Sequence, residues 1–466
     1  MKLYNTLSHS LEEFEPIDPA NVKIYTCGPT VYGPVHIGNL RTYTVGDILV
    51  RALRNQGYKV IHVENITDVD DKTIRSSREK KVSLKEFTSD FTNAYFKDLD
   101  NLNILRPTQS PRATEQENIT AMIDMISSLI KSGHAYKSED GVYYRISSDP
   151  EYGKLAGKVG PSSEGPTFRS RIKNDEYEKE AVGDFALWKF QTPEDGEVGW
   201  DAPFGKGRPG WHIECSAMIH RLLGEPIDIH TGGVDLIFPH HTNEIAQTES
   251  AFGDQVANIW LHNEFIQVDG KKMSKSLGNV ITLREIIKKG FSPLALRYLF
   301  LTTHYRQKQN FTWEALTAAQ IALDRLTHLL ATDNTSSGPT ATNSVAVGPL
   351  RIWQEKFMGT INNDLNMPQA LAVVWELVKD SSVSHSNKQA MIFEFDKILG
   401  LDLQKQIEKL QKETVEIPDE VKRFIGDREE ARKNKDFKKS DELRLEIEKL
   451  GYKVEDSDQA PIVRKQ

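Results

Sequence analysis

Two short stretches of this 466-residue chain carry residues suited to handling a polyphosphate. The first is His36-Ile37-Gly38-Asn39, where the loop PTVYGPVHIGN gives way to a helical pattern. A helix amino terminus offers unpaired backbone N–H groups and a partial positive charge, and both suit phosphate. His36 can donate a hydrogen bond to charge building up in a phosphoryl transition state. Gly38 lets adenine or ribose approach the backbone closely. The second stretch is Lys272-Met273-Ser274-Lys275-Ser276. Its two lysines can bracket a polyphosphate while Ser and Gly keep the loop mobile. HIGN arises by chance often and KMSKS far less so. For a lone copy of either, the alternative is an ordinary solvated loop.

A second group could hold a metal. Cys27 and Cys215 are the only cysteines, too few and too far apart for a disulfide framework. By themselves they read as buried, inert thiols. Cys27 closes VKIYTCG, however, just before the HIGN loop, and Cys215 lies in RPGWHIECSAM. His240 and Glu244 lie four positions apart in PHHTNEIAQ, so a helix would present both on one face. Two thiolates, an imidazole and a carboxylate suit zinc. His241 competes for the same role, although on a helix it points about 100° away from His240. The plain alternative for HHxxE is a satisfied histidine beside an exposed glutamate. Only a fold that unites three distant segments can make these residues a site.

The elements that must do so are partly visible. VKIYTCG, residues 22 to 28, reads as a strand ending in glycine. In LRTYTVGDILVRALRNQGY, Val45, Ile48, Leu49, Ala52 and Leu53 share a helical face, with Gly57 as a stop. YKVIHVENIT is strand-like again. Strand, loop, helix and strand make a βαβ unit and imply an α/β fold with a parallel sheet. From about 136 to 209 the pattern turns irregular, as in an insertion. Strand and helix signals return from Gly210 to about Phe265, and the chain reads as helical from Pro293 nearly to its end. The exception is ATDNTSSGPTATNSVAVG, residues 331 to 348, which has the composition of a connector.

With 38% hydrophobic and 27% charged residues, the chain can build two to four domains. No apolar run reaches the roughly 18 residues of a membrane span. MKLYNTLSHSLEEFEP lacks the apolar stretch of a secretory signal. A cytoplasmic protein without a membrane partner is expected. The net charge of −8 argues against indiscriminate coating of nucleic acid but leaves room for a local basic patch. Arg432, Lys433, Lys435, Lys438 and Lys439 cluster around Phe437. That combination suits unpaired RNA bases, with a solvated charged helix as the alternative.

HIGN and KMSKS, in this order, resemble the paired motifs of class I aminoacyl-tRNA synthetases. YTCGPTVYGPVHIGN, VENITDVDDKT, RPGWHIECSAM, DIHTGGVDLIFPHHTNEIAQ and DGKKMSKSLGN resemble cysteinyl-tRNA synthetases, across the catalytic core and more loosely beyond it. The resemblance implies a Rossmann-type parallel-sheet catalytic domain with an insertion, then a helical bundle and a small carboxy-terminal anticodon-binding domain. The expected divisions are 1–120 and 210–265 for the two catalytic halves and 121–209 for the insertion. The KMSKS and stem-contact region takes 266–310, the bundle 311–404 and the anticodon-binding region 405–466.

The implied reaction is ATP-dependent formation of cysteinyl-adenylate, then transfer to the terminal adenosine of tRNA(Cys). Partners are thus ATP, L-cysteine and the tRNA, with Mg²⁺ accompanying ATP and a monomer as the family state. His36, Asn39, Lys272 and Lys275 would carry catalysis. Gly38, Asp235 and Ser274 would join them around ATP, and Gly28, Thr67, Trp211 and His230 would line the amino-acid pocket. Cys27, Cys215, His240 and Glu244 fall on the ligands of one zinc per subunit. Synthetases need roughly 10⁴- to 10⁵-fold discrimination, about 5.5 to 7 kcal/mol, and shape separates near-isosteres poorly. A thiophilic metal can take cysteine as thiolate, which serine's hydroxyl cannot match.

The chain departs from the family pattern at Asn39, in place of a second histidine. It departs again at Thr231, Val234 and Thr242, where Gly, Ser and Glu are usual, and it lacks the family's tryptophan near QAPIVRKQ. Two rival functions are a cysteine ligase with a sugar-amine acceptor, as in mycothiol biosynthesis, and a non-catalytic RNA-binding paralogue.

Overall fold

The computed structural model describes residues 1–157, 183–274, 277–331, 349–415, 418–434, 436–455 and 461–465. Lys275, Ser276 and Lys435 lie outside the described residues, as does nearly all of the connector expected at 331 to 348.

The expected βαβ unit is β1 (Val22–Thr26), α1 (Ile37–Asn55) and β2 (Val60–Glu64). The second half supplies α2 (Trp211–Leu222), β3 (Ile227–Gly233), α3 (Thr242–Phe252) and β4 (Ala257–Asn263). The strands form one parallel sheet in the order β4-β3-β1-β2. A parallel sheet is covered on both faces, so its strands bury neighbouring residues rather than every second one. Ile24 and Tyr25, neighbours on β1, are both fully buried, but in different cores. Ile24 packs with α1 and the helical bundle. Tyr25 packs with Ile213 and Met218 of α2 and Ile245 of α3. All five apolar residues expected on the inner face of α1 are buried, and Gly57 follows the helix at φ +92°.

The chain runs from β1 to β2 on one side, and the second half fills the other. The carboxyl ends of β1 and β3 therefore flank a switch point, where open α/β sheets bind ligands. Cys27 and Gly28 leave β1 there, beside Thr231 to Gly233 of β3. Thr231, a departure from the family pattern, lies within this strand and pairs with Thr26. A β-branched side chain suits that position.

Helix Gln116–Lys131 runs across the division expected at 120/121. Ile119, Met122, Met125, Ile126 and Leu129 are buried in the same core as α2 and α3, so its apolar face ties it to the catalytic sheet. The irregular region beyond it forms an antiparallel sheet of Ala135–Lys137, Gly141–Tyr144, Phe185–Phe190 and Gly207–Pro209. Its last strand leads directly into α2. After β4 come Ile266–Val268, Lys271–Lys272 and Gln309–Phe311, which form a three-stranded sheet at the KMSKS segment. A bundle of helices extends from Pro293–Leu301 to Leu403–Val415. Helices Asp419–Lys433 and Phe437–Lys449, with strands Tyr452–Glu455 and Ile462–Lys465, enclose a separate core around Val421, Ile447, Tyr452 and Val454. No described helix is long and apolar enough to cross a membrane.

Candidate active site and metal centre

At the switch point, Cys27, Cys215, His240 and Glu244 present one donor atom each, all within 4.8 Å of one another and all buried. The thiols are 3.7 Å apart. Glu244 Oε1 lies 3.5 Å from the Cys27 sulfur and 3.0 Å from His240 Nε2. α2 delivers Cys215, while α3 delivers Glu244 from its first turn. The other nitrogen of His240, Nδ1, bonds His212 Nδ1 at 2.9 Å, the kind of outer contact that fixes a ligand ring.

His240 and His241 both face this cluster, against the helical expectation. Residues Ile237–His241 are not one regular helix, since Phe238 is extended and kinks the run just ahead of the two histidines. His241 Nε2 sits 3.3 Å from the Cys27 sulfur, and its Nδ1 bonds His262 Nε2 at 2.8 Å. His262 continues to the Thr6 hydroxyl at 2.8 Å. His230 Nε2 bonds Glu244 Oε2 at 2.8 Å and stacks on Trp260. Cys27, His230, His241 and Glu244 thus form a second, overlapping donor group. His262 has no motif around it that marks it in the sequence.

Burial penalises both thiolates, and the pair settles this by holding one proton. Cys27 is raised well above the ordinary thiol range, whereas its hydrogen bond and His240 bring Cys215 down to about 6. Burial also opposes charge on Glu244 and His240, yet each favours the charged form of the other. Glu244 falls well below the usual carboxylate range and His240 rises to about 10. His241 and His262 are pushed down by burial and by the neighbouring His230, His262 to about 3.

The residues expected to line an amino-acid pocket surround this centre. Trp211 begins α2 and stacks on His240 with ring centroids 4.2 Å apart. Gly28 N–H donates to Asn65 Oδ1 at 2.8 Å, and a Cβ at Gly28 would fall 1.7 Å from the Asn65 carbonyl oxygen. Only glycine fits there. Asn65 Nδ2 donates to the Thr67 hydroxyl, which donates to Glu214 Oε2 at 2.7 Å. Burial, with Cys215 and two aspartates nearby, raises Glu214 well above the carboxylate range.

The residues expected around ATP adjoin it. His36 caps α1: its Nδ1 accepts the Asn39 N–H at 3.2 Å, and Asn39 Oδ1 accepts the His36 N–H at 3.2 Å. The tetrapeptide is thus a reciprocal capping box. An Nδ1 that accepts places the proton of a neutral His36 ring on Nε2. A Cβ at Gly38 would lie 3.0 Å from Met273 and 3.1 Å from the His36 ring, so the two motifs pack together across that glycine. Ile37 N–H also bonds Ile281 O at 2.9 Å, beyond KMSKS. Lys272 is exposed on its short strand, and the Ser274 N–H is held by Asn279 Oδ1. Asp235 lies over Gly233 at the end of β3.

A switched parallel sheet, a histidine-capped first helix and a strand leading into the KMSKS segment beside it define a class I tRNA synthetase. Residues 13–321 match the family described as tRNA synthetases class I (C) catalytic domain. At the fold level, the chain is similar to Mycobacterium tuberculosis methionyl-tRNA synthetase in complex with methionyl-adenylate. The TM-score is 0.59 at 15% identity, covering 83% of this chain and 91% of that one. Residues 414–464 match the cysteinyl-tRNA ligase anticodon binding domain. The cysteine–tRNA ligase of Brachyspira hyodysenteriae is 42% identical, covering 98% of this chain and 97% of its own. That of Chlamydia abortus is 44% identical, with 99% and 97% covered. The chain belongs to the cysteine–tRNA ligase family.

Proposed function

We propose that the protein joins L-cysteine to tRNA(Cys) at the expense of ATP, selecting the substrate by its thiol at a zinc centre. The single observation that carries this is the meeting of two thiols, His240 and Glu244 at the switch point, one loop away from the HIGN box. The donor set fits zinc, and the set with both sulfurs fits it better than the overlapping one with a single sulfur. Cys27, Cys215, His240 and Glu244 would hold the metal, and what it supplies when bound is a thiophilic Lewis acid that cysteine can meet and serine cannot.

The remaining steps fall to this chain's own residues. Trp211 and His230 wall the pocket, and Gly28 leaves room for the substrate where any side chain would collide with Asn65. α1 points its amino terminus at the phosphates, and His36 offers Nε2–H to the charge developing at the α-phosphate. Lys272, with Lys275, would steady the departing pyrophosphate, which accompanies Mg²⁺. Asp235 would hold the adenosine side. No covalent intermediate with the protein is required, so catalysis is positioning and charge stabilisation.

The test is charging of tRNA with cysteine, serine and alanine, with zinc quantified in the same preparation. Charging by cysteine alone, at one zinc per chain, is expected. Cys215→Ser should lose zinc and raise the KM for cysteine before it unfolds the protein. Cysteine-dependent pyrophosphate exchange with no charging of tRNA would instead favour a different acceptor for the adenylate.

A further inference from the structure

Glu214 precedes Cys215 on α2 and meets a different wall of the pocket. It is 1% exposed, and one of its carboxylate oxygens has no hydrogen-bond partner. Its other oxygen accepts from Thr67, and the chain of contacts continues through Asn65 to the Gly28 N–H. Each link fixes the next. The Thr67 hydroxyl donates to Glu214 and accepts from Asn65, which leaves it one lone pair.

Two further acids, Asp68 and Asp70, stand in the same stretch of chain as Thr67. A buried carboxyl group with an unused oxygen is costly until a hydrogen-bonding partner completes it. Asp68 is already held by the Thr114 N–H and hydroxyl, and Asp70 caps the helix Asp71–Lys80. Glu214 is the acid left with capacity.

We infer that Glu214, acting through Thr67, positions the α-ammonium group of the amino-acid substrate. This rests on the function proposed above. With the substrate thiol at Cys27 and Cys215, the next carbon carries the ammonium past Gly28, where the chain of hydrogen bonds begins. The ammonium supplies a positive charge together with N–H donors for the Thr67 lone pair. Glu214 is a positioning residue, since it orients the Thr67 hydroxyl and balances the charge that arrives. Thiol and ammonium are then read by opposite sides of one two-residue segment, Glu214 and Cys215.

The discriminating probe is 3-mercaptopropionate, which has the thiol and carboxylate of cysteine but no ammonium. Binding of each compound to zinc-loaded, full-length protein is measured by calorimetry without ATP. Glu214→Gln should weaken L-cysteine by about 10- to 100-fold and leave zinc content and the affinity for 3-mercaptopropionate unchanged. Thr67→Val should do the same, and the double variant should be no worse than the weaker single variant, because both act on one contact. Equal weakening of both compounds, or of neither, overturns the inference. If Glu214→Gln loses its zinc, Thr67→Val decides by the same comparison. A wild-type protein that binds no cysteine would refute the proposed function itself, and the role of Glu214 with it.

Discussion

Glu64 closes β2 with its side chain 2% exposed and accepts a hydrogen bond from Tyr95. Burial pushes its carboxyl from 4.5 up to about 8, although Tyr95 pulls the other way. The folded protein therefore keeps a proton that the unfolded chain releases above about 4.5. Between these limits the native state binds more protons, so Glu64 makes stability fall as pH rises from about 4.5 to 8. Glu64→Gln removes that slope. Urea unfolding should find the variant gaining on wild type by a few kcal/mol between pH 5 and pH 8, and parallel profiles would show that Glu64 is not a buried acid. No feature of VENIT or WHIEC marks Glu64 or Glu214 as buried, because burial depends on partners far away in sequence. Cys27, Cys215, His240 and Glu244 were legible through their neighbouring motifs. His241 shares the cluster with His240 although a regular helix would turn the two about 100° apart. Asn39 looked like a substitute for a second histidine, and it is also half of the box that caps α1.

Among elements, α1 links the HIGN segment to the helical bundle. Its amino terminus carries HIGN, and three turns later Asp47 receives Arg297 of the bundle at 2.5 Å, with both side chains fully buried. The guanidinium also donates to Leu399 O at 2.7 Å and Leu102 O at 3.0 Å. Asp47 is shared with Arg51 and the Leu105 N–H. One arginine thus fastens the catalytic sheet, the segment after residue 101 and the end of a bundle helix. Removing one partner of a buried pair costs about 3 to 5 kcal/mol. Arg297→Met should lie near the low end, since Arg51 still faces Asp47, and it should lower the thermal midpoint without changing zinc content. An unchanged midpoint would mean that the bundle is held by apolar packing alone. The βαβ unit was readable because α1 carries a long 3.6-residue period between two β-branched runs, with Gly28 and Gly57 as punctuation. The hairpin Lys2–Asn5 with Ser10–Glu13 was not, since four-residue strands show too little alternation. Which core the helix Gln116–Lys131 joins is a tertiary fact that no local pattern carries.

At the scale of the molecule, the acidic balance leaves RNA binding to a local surface, and the carboxy-terminal unit offers one. Helix Asp419–Lys433 ends in Arg432 and Lys433, and the next helix opens with Phe437, Lys438 and Lys439. Phe437 is 66% exposed, an aromatic side chain held out beside cations. This unit has its own core, so it can be removed without opening the others. The cut matters. Leu403 and Ile407 belong to the main core, so a deletion beginning at 405 would damage the bundle, whereas one beginning at 418 spares it. Deleting residues 418–466 should leave cysteine-dependent pyrophosphate exchange near the wild-type rate, because the sheet, the HIGN box and the thiol cluster lie in the remaining chain. Charging of tRNA should fall by at least about tenfold, the loss expected for one or more base or phosphate contacts. The ratio of the two rates is the measurement. If both fall together while the thermal midpoint of the catalytic portion is unchanged, the carboxy-terminal unit serves adenylate formation rather than tRNA recognition.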